Sequence, residues 1–155
     1  MKSTTLMLLL VALVVSTGCK KDEAAPTTTV INNNGPVAPT TTLKTGTLTA
    51  ENGTPTAGTL TVIKDANNDE WVSFNSNFTS TFATGTVTVY LAKTAARIGT
   101  QRTLPPPPVP NILAIGFVTK NGVQSLKVPG SSTGFSYIVL YCETAEINFG
   151  NALLN

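Results

Sequence analysis

The sequence predicts an all-β protein: one antiparallel β-sandwich or barrel-like domain, placed after a signal peptide and a disordered linker. Three observations predict it. Threonine and other β-branched residues are abundant while helix formers are scarce, which favours strands. Short runs of alternating apolar and polar residues recur, separated by Gly, Pro and Asn turn signals. No segment after the N-terminus shows a helical period, and no internal repeat is visible.

The strands follow in order. Residues 44–50 (KTGTLTA) form the first, and Gly53 and Pro55 mark the turn after it. Residues 56–64 (TAGTLTVIK) put Leu60 and Val62 on one face and Thr59, Thr61 and Ile63 on the other. The polar cluster 65–69 turns the chain, and 70–75 (EWVSFN) returns as the second arm of a hairpin. Phe78 and Phe82 stand four apart in a polar stretch and are expected to plug the core from a loop or one helical turn. In 86–92 (TVTVYLA), Val87, Val89 and Leu91 alternate with Thr88 and Tyr90. Residues 104–110 (LPPPPVP) are a stiff polyproline-type connection that no central strand tolerates. Asn121-Gly122 predicts a hairpin between 112–119 (ILAIGFVT) and 123–128. Residues 135–142 (FSYIVLYC) are apolar on both faces, as in a central buried strand. The last strand, 145–149 (AEINF), is expected to turn Ala145, Ile147 and Phe149 inward.

The N-terminus carries a different signal. Lys2 precedes an unbroken apolar run over 6–15, too short to cross a bilayer as a helix, which takes about 20 residues. It fits the apolar region of a secretory signal. Ser16-Thr17-Gly18-Cys19 then resembles a bacterial lipobox, in the looser form of the Bacteroidetes group, with Ser16 where leucine is commonest. On that resemblance 1–18 is a lipoprotein signal peptide and Cys19 is the lipidation site. The thiol takes a diacylglycerol, and cleavage follows the small Gly18. Each buried methylene adds about 0.8 kcal/mol and one chain holds weakly, so stable anchoring needs two or three chains. Lys21-Asp22-Glu23 resembles the surface-export signal of such lipoproteins. The expected location is the outer membrane with the domain at the cell surface; the alternative faces the periplasm. Residues 19–42 read as a flexible Thr/Pro/Asn-rich linker and 43–155 as the folded domain.

Composition narrows the chemistry. Ten basic residues stand against eight acidic ones with no basic run, which argues against a nucleic-acid partner. Histidine is absent, and both methionines, Met1 and Met7, belong to the signal peptide. Ser, Thr and Cys nucleophiles therefore lack a histidine base. Blue-copper and cytochrome-type haem sites lack their usual ligands. No cofactor is predicted and no catalytic residue is assigned. Asp65-x-Asn67-x-Asp69 resembles the start of a calcium loop, but Glu70 and Ser76 stand where Gly and Glu belong, so a hairpin turn is the better reading. Glu143 and Glu146 read as exposed turn residues. Trp71, Phe74 and Tyr90 read as core or rim aromatics.

From 43 onward the chain resembles the DM13 domain family. The carrying residues are Gly46-Thr47-Leu48, Ala57-Gly58-Thr59-Leu60, Phe82 with 87–91 (VTVYL), Ile115-Gly116-Phe117, Gly122-Val123-Gln124 and Val128-Pro129. The most specific piece is 137–153 (YIVLYCETAEINFGNAL), an apolar strand ending in aromatic-Cys, a short break, then Phe-Gly-x-Ala. The family's frequent histidine is missing from 50–57, and Thr84-Gly85-Thr86 replaces its Gly-Pro-Asp. The resemblance implies an extracytoplasmic β-sandwich-type module proposed to take part in electron transfer, with Cys142 as the candidate redox residue.

Against that role, Cys142 has no second thiol once Cys19 carries lipid, and a lone thiol cycles only with a partner protein, a small thiol or a metal. Free cysteine is also among the most buried residue types. Two functions follow. One is a lipid-anchored envelope protein that joins in electron transfer or binds a redox partner through Cys142. The other is a non-redox structural or adhesive surface module that binds a protein or glycan. In both, the membrane is a partner through Cys19, and the envelope partner is unknown.

Overall fold

A computed structural model describes residues 35–103 and 110–155. The expected signal peptide, Cys19, the first part of the expected linker and most of the proline run lie outside the described residues. The described chain forms eight strands and one helical turn: β1 Thr41–Ala50, β2 Gly58–Lys64, β3 Glu70–Phe74, β4 Val87–Ala92, α1 Ile98–Arg102, β5 Ile112–Val118, β6 Gln124–Lys127, β7 Tyr137–Cys142 and β8 Ile147–Leu153. They make one sheet in the order β5-β4-β7-β8-β1-β2-β3-β6, antiparallel throughout, which curls into a nearly closed barrel. The all-β expectation holds, and the barrel is the form it takes.

The alternation read from sequence gives the barrel its inner face. Leu60 and Val62 of β2, Val87, Val89 and Leu91 of β4 and Phe74 of β3 all point into one core. Each such side chain stabilises the fold by about 1.5–3 kcal/mol relative to exposure. Phe78 reaches this core from a loop, with its ring centroid 4.5 Å from that of Phe74, while Phe82 packs at the core's margin. Close approaches need glycine at two places. A Cβ on Gly150 would sit 2.7 Å from the Thr49 carbonyl oxygen, where β8 crosses the end of β1. One on Gly58 would sit 2.6 Å from the Phe78 Cα, and its φ of 118° suits glycine alone.

The hairpin β2–β3 forms as expected, with Lys64 opposite Glu70 and Leu60 opposite Phe74. Four expectations are corrected. The Asn121-Gly122 turn does not make a hairpin: β5 pairs with β4, β6 pairs with β3, and no ladder joins β5 to β6. The turn docks instead on the 75–81 loop, where Gly122 N–H donates to the Phe78 carbonyl at 2.8 Å and Asn121 Oδ1 accepts from Ser80 N–H at 2.9 Å. It thus carries the chain across the barrel's seam. Second, the last strand begins at Ile147, and Ala145 is exposed in the preceding turn, because Glu146 at φ 54° breaks the extended backbone there. Third, α1 exists as a single turn too short to show a period. Fourth, β1 begins at Thr41, two residues ahead of the expected start of the folded part.

Burial of β7 on both faces has a concrete cause. Ile138, Leu140 and Cys142 face the barrel interior. Val139 and Tyr141 face outward into a second cluster with Tyr90, Ala92 and Ile98, where α1 covers the sheet. Asn148 Nδ2 donates to the Ala95 carbonyl at 3.2 Å and its Oδ1 accepts from Ile98 N–H at 3.3 Å, which fixes the start of α1 to β8.

Candidate functional site

The chain's chemically distinctive side chains meet at one end of β7. Cys142 closes that strand and points inward; Tyr141 beside it points outward; Glu143 begins the turn that follows. Period-two alternation therefore places a thiol and a phenol from adjacent residues on opposite faces of one sheet.

On the inner side, Cys142 has no exposed surface. Val87 is its partner across to β4, and Ile147 its partner across to β8. The sulfur's polar neighbours are the Thr84 hydroxyl at 3.6 Å, the Thr84 carbonyl oxygen at 3.8 Å, and Ala145 N–H, which donates toward Sγ at 3.5 Å. These groups belong to the Thr84 loop and the Thr144–Ala145 turn, both exposed, so the thiol lies one layer beneath the surface. It is the only cysteine among the described residues. An S–H donor in this position is satisfied by the Thr84 carbonyl and packs as a small apolar group.

On the outer side, Arg102 at the end of α1 binds Glu143 with both terminal guanidinium nitrogens, at 2.7 and 3.0 Å. Tyr90 Oη donates to the same carboxylate at 2.6 Å and accepts from Arg102. The guanidinium carbon also lies 5.4 Å from the Tyr90 ring centroid and 5.3 Å from that of Tyr141, within cation–π range of both. Burial pushes the Tyr90 phenol up to about 12, helped by the Glu143 carboxylate that accepts its proton. The Arg102 hydrogen bonds hold the Glu143 carboxyl below its usual range, and Glu143 in turn raises the guanidinium. A second, more open pair, Arg97 with Glu146 at 3.4 Å, lies on the same turn. Glu143 is an exposed turn residue, as expected, and it is also the hub of this cluster. Sequence alone hid the cluster, since Glu143 is far along the chain from both Tyr90 and Arg102, and only the pairing of β4 with β7 and the docking of α1 bring the three together.

The Tyr90 hydroxyl, both Glu143 oxygens and the two terminal nitrogens of Arg102 all have partners within the protein, so the chemistry of the network is that of a clamp between α1 and the β7–β8 turn. The Asp65 carboxylate is partnered in the same way. Its Oδ1 accepts from the backbone N–H groups of Asn67 and Asp69 at 2.9 and 3.0 Å, and its Oδ2 from Trp71 Nε1 at 3.0 Å and Val37 N–H at 3.2 Å. Burial raises this carboxyl, but the four N–H donors outweigh it and hold it below its usual range. Asp69 pairs with Lys127 at 2.7 Å. The 65–69 run is a hairpin turn whose leading carboxylate faces N–H groups. Trp71, Phe74 and Tyr90 are all buried, as core and rim aromatics. Among the described residues, no three His, Cys, Asp or Glu side chains gather as metal ligands. No described helix is long and apolar enough to cross a membrane. No family model, curated protein or solved structure matches the chain.

Proposed function

We propose that the chain is a lipid-anchored cell-envelope protein, held by Cys19 in the outer membrane and displayed at the cell surface. Its DM13-like β domain serves as a non-redox structural or adhesive module for a protein or glycan. The observation that carries the non-redox part is the complete burial of Cys142 in the barrel core. A redox thiol exchanges through attack by or on its sulfur, which requires access and is helped by a nearby cation. Here the nearest polar groups are a threonine and a backbone N–H, while the cations of this end, Arg97 and Arg102, pair with carboxylates near the outer face. The anchoring part is supported by the apolar run 6–15 ending at Gly18-Cys19, and the surface part by Lys21-Asp22-Glu23.

Thiol labelling of the mature lipoprotein tests the non-redox part, because lipid on Cys19 leaves Cys142 as the one free thiol. Protection until denaturant is added is the expected result. Rapid labelling of the native protein, or its isolation as a mixed disulfide, would restore the redox reading. Mass spectrometry of the N-terminal peptide reports the lipid, and loss of membrane attachment in Cys19→Ala is expected. Digestion of intact cells with an added protease separates surface display from a periplasm-facing anchor.

A further inference from the structure

The segment ahead of β1 is not free up to the edge of the domain. At Val37 it touches the barrel with two hydrogen bonds of opposite sense. Val37 N–H donates to Asp65 Oδ2 at 3.2 Å, and the Val37 carbonyl accepts from Ala66 N–H at 3.0 Å. This is the give-and-take of an antiparallel ladder, with a side-chain carboxylate standing where a backbone carbonyl would be. The β1–β2 ladder ends at Thr41 opposite Lys64, so Asp65 extends it around the start of the β2–β3 turn.

Apolar packing does little to hold the segment here. Val37 is 46% exposed, and residues 38–42 are exposed as well. A cavity of about 170 Å³ is lined by Gly35 and Val37 from the segment and by Asp65, Asp69, Trp71 and Lys127 from the barrel. Asp65 itself is 6% exposed and is oriented by Trp71 and by the turn's own N–H groups, so its free oxygen direction is set before Val37 arrives. A preset acceptor of this kind loses little freedom on binding.

We infer that Asp65 is a clasp that fixes where the N-terminal tether leaves the barrel, setting the domain's reach and orientation with respect to whatever holds the N-terminus. With the clasp shut, the segment is held to the barrel from Val37 onward. With it open, residues 37–40 join the tether and add roughly 14 Å of extended chain. The consequence for distance from a membrane rests on the lipid anchor proposed above; the clasp itself does not.

Nitrogen-15 relaxation of the mature chain in detergent micelles tests it, with Asp65→Asn and Asp65→Ser as variants. The serine keeps an oxygen for the turn's N–H groups but is too short to reach Val37. Wild type is expected to show order parameters near 0.85 at Val37 and Ala38, the value of rigid backbone. Both variants should fall below about 0.6 there, with Val62 and Val72 unchanged. Low order at Val37 and Ala38 in wild type overturns the clasp. So does wild-type order at those residues in folded Asp65→Ser. These amides report the clasp whether or not Cys19 carries lipid, so failure of the anchor proposal leaves this result readable.

Discussion

The two faces of β7 at its C-terminal end differ as much as any two regions of this molecule. Inward, Cys142 lies in an apolar core with a threonine and one N–H as its polar company. Outward, Tyr141 lies under a guanidinium that is bound to a carboxylate and a second phenol. The inner face stabilises by excluded water and dispersion, which are non-directional. The outer cluster adds directed, charge-assisted bonds that locate α1 on the sheet. Polar and ionic chemistry is thus concentrated on the side away from the thiol.

Substitutions on the two faces sharpen this contrast. Leu140→Ala removes a fully buried side chain from the inner core and should lower stability by about 2–5 kcal/mol, read from urea unfolding. A cost below about 1 kcal/mol would mean that the core is loosely packed at β7. Cys142→Ser replaces a weakly polar group by a hydroxyl with few partners and should cost about 1–3 kcal/mol. The binding or adhesive activity proposed for the domain should persist in the folded variant. Loss of activity with stability intact would break the comparison in favour of a working thiol.

Acid acts on carboxylates, and the inner core holds none. Asp65, Glu70 and Glu143 all have depressed folded values. Their contribution is present above the unfolded carboxylate range near pH 4 and is lost as pH falls through the folded values. Unfolding free energy should therefore be flat above about pH 5 and decline below about pH 4. Asp65→Asn should make that decline shallower. A curve that climbs toward acid would show that the three groups are not held as described.

Glu143→Gln has the smallest expected effect on stability. The pair with Arg102 is more than a third exposed on both sides, so solvent screening leaves up to about 1 kcal/mol. The Tyr90 phenol is the sharper reporter. Its pKa, pushed up to about 12 by burial and by Glu143, should drop toward 10 in the variant, read from phenolate absorbance. An unmoved titration would place the whole shift on burial.

Local pattern determined most of the strands. Period-two alternation in 56–64 and 86–92 puts Leu60 with Val62, and Val87 with Val89 and Leu91, on one face of their strands, and those are faces the core takes up. Apolarity on both faces of 137–142 announced a covered strand, though not that α1 was the cover. One helical turn leaves too few residues for a period to show, and its anchors Glu143 and Asn148, in the β7–β8 turn and on β8, lie far along the chain from it. Asn121-Gly122 marked a reversal of direction correctly and the wrong partner. A turn's residues set its own backbone angles, while the strand that follows pairs wherever its inward face meets the core.

The sequence by itself determined that the protein is all-β, that the strand ending at Cys142 is covered on both faces, and that no histidine or methionine serves the domain. Its N-terminal run also carries the case for a lipid anchor. Tertiary structure alone decided that β5 and β6 meet at a seam, that Glu143 is bound by Arg102 and Tyr90, that Asp65 holds Val37, and that Cys142 has no surface. The division has one physical reason. Alternation and turn chemistry act over a few residues and can be read along the chain. Pairing register, helix cover and side-chain hydrogen bonds join residues tens of positions apart, and they exist only once the barrel has brought those residues together.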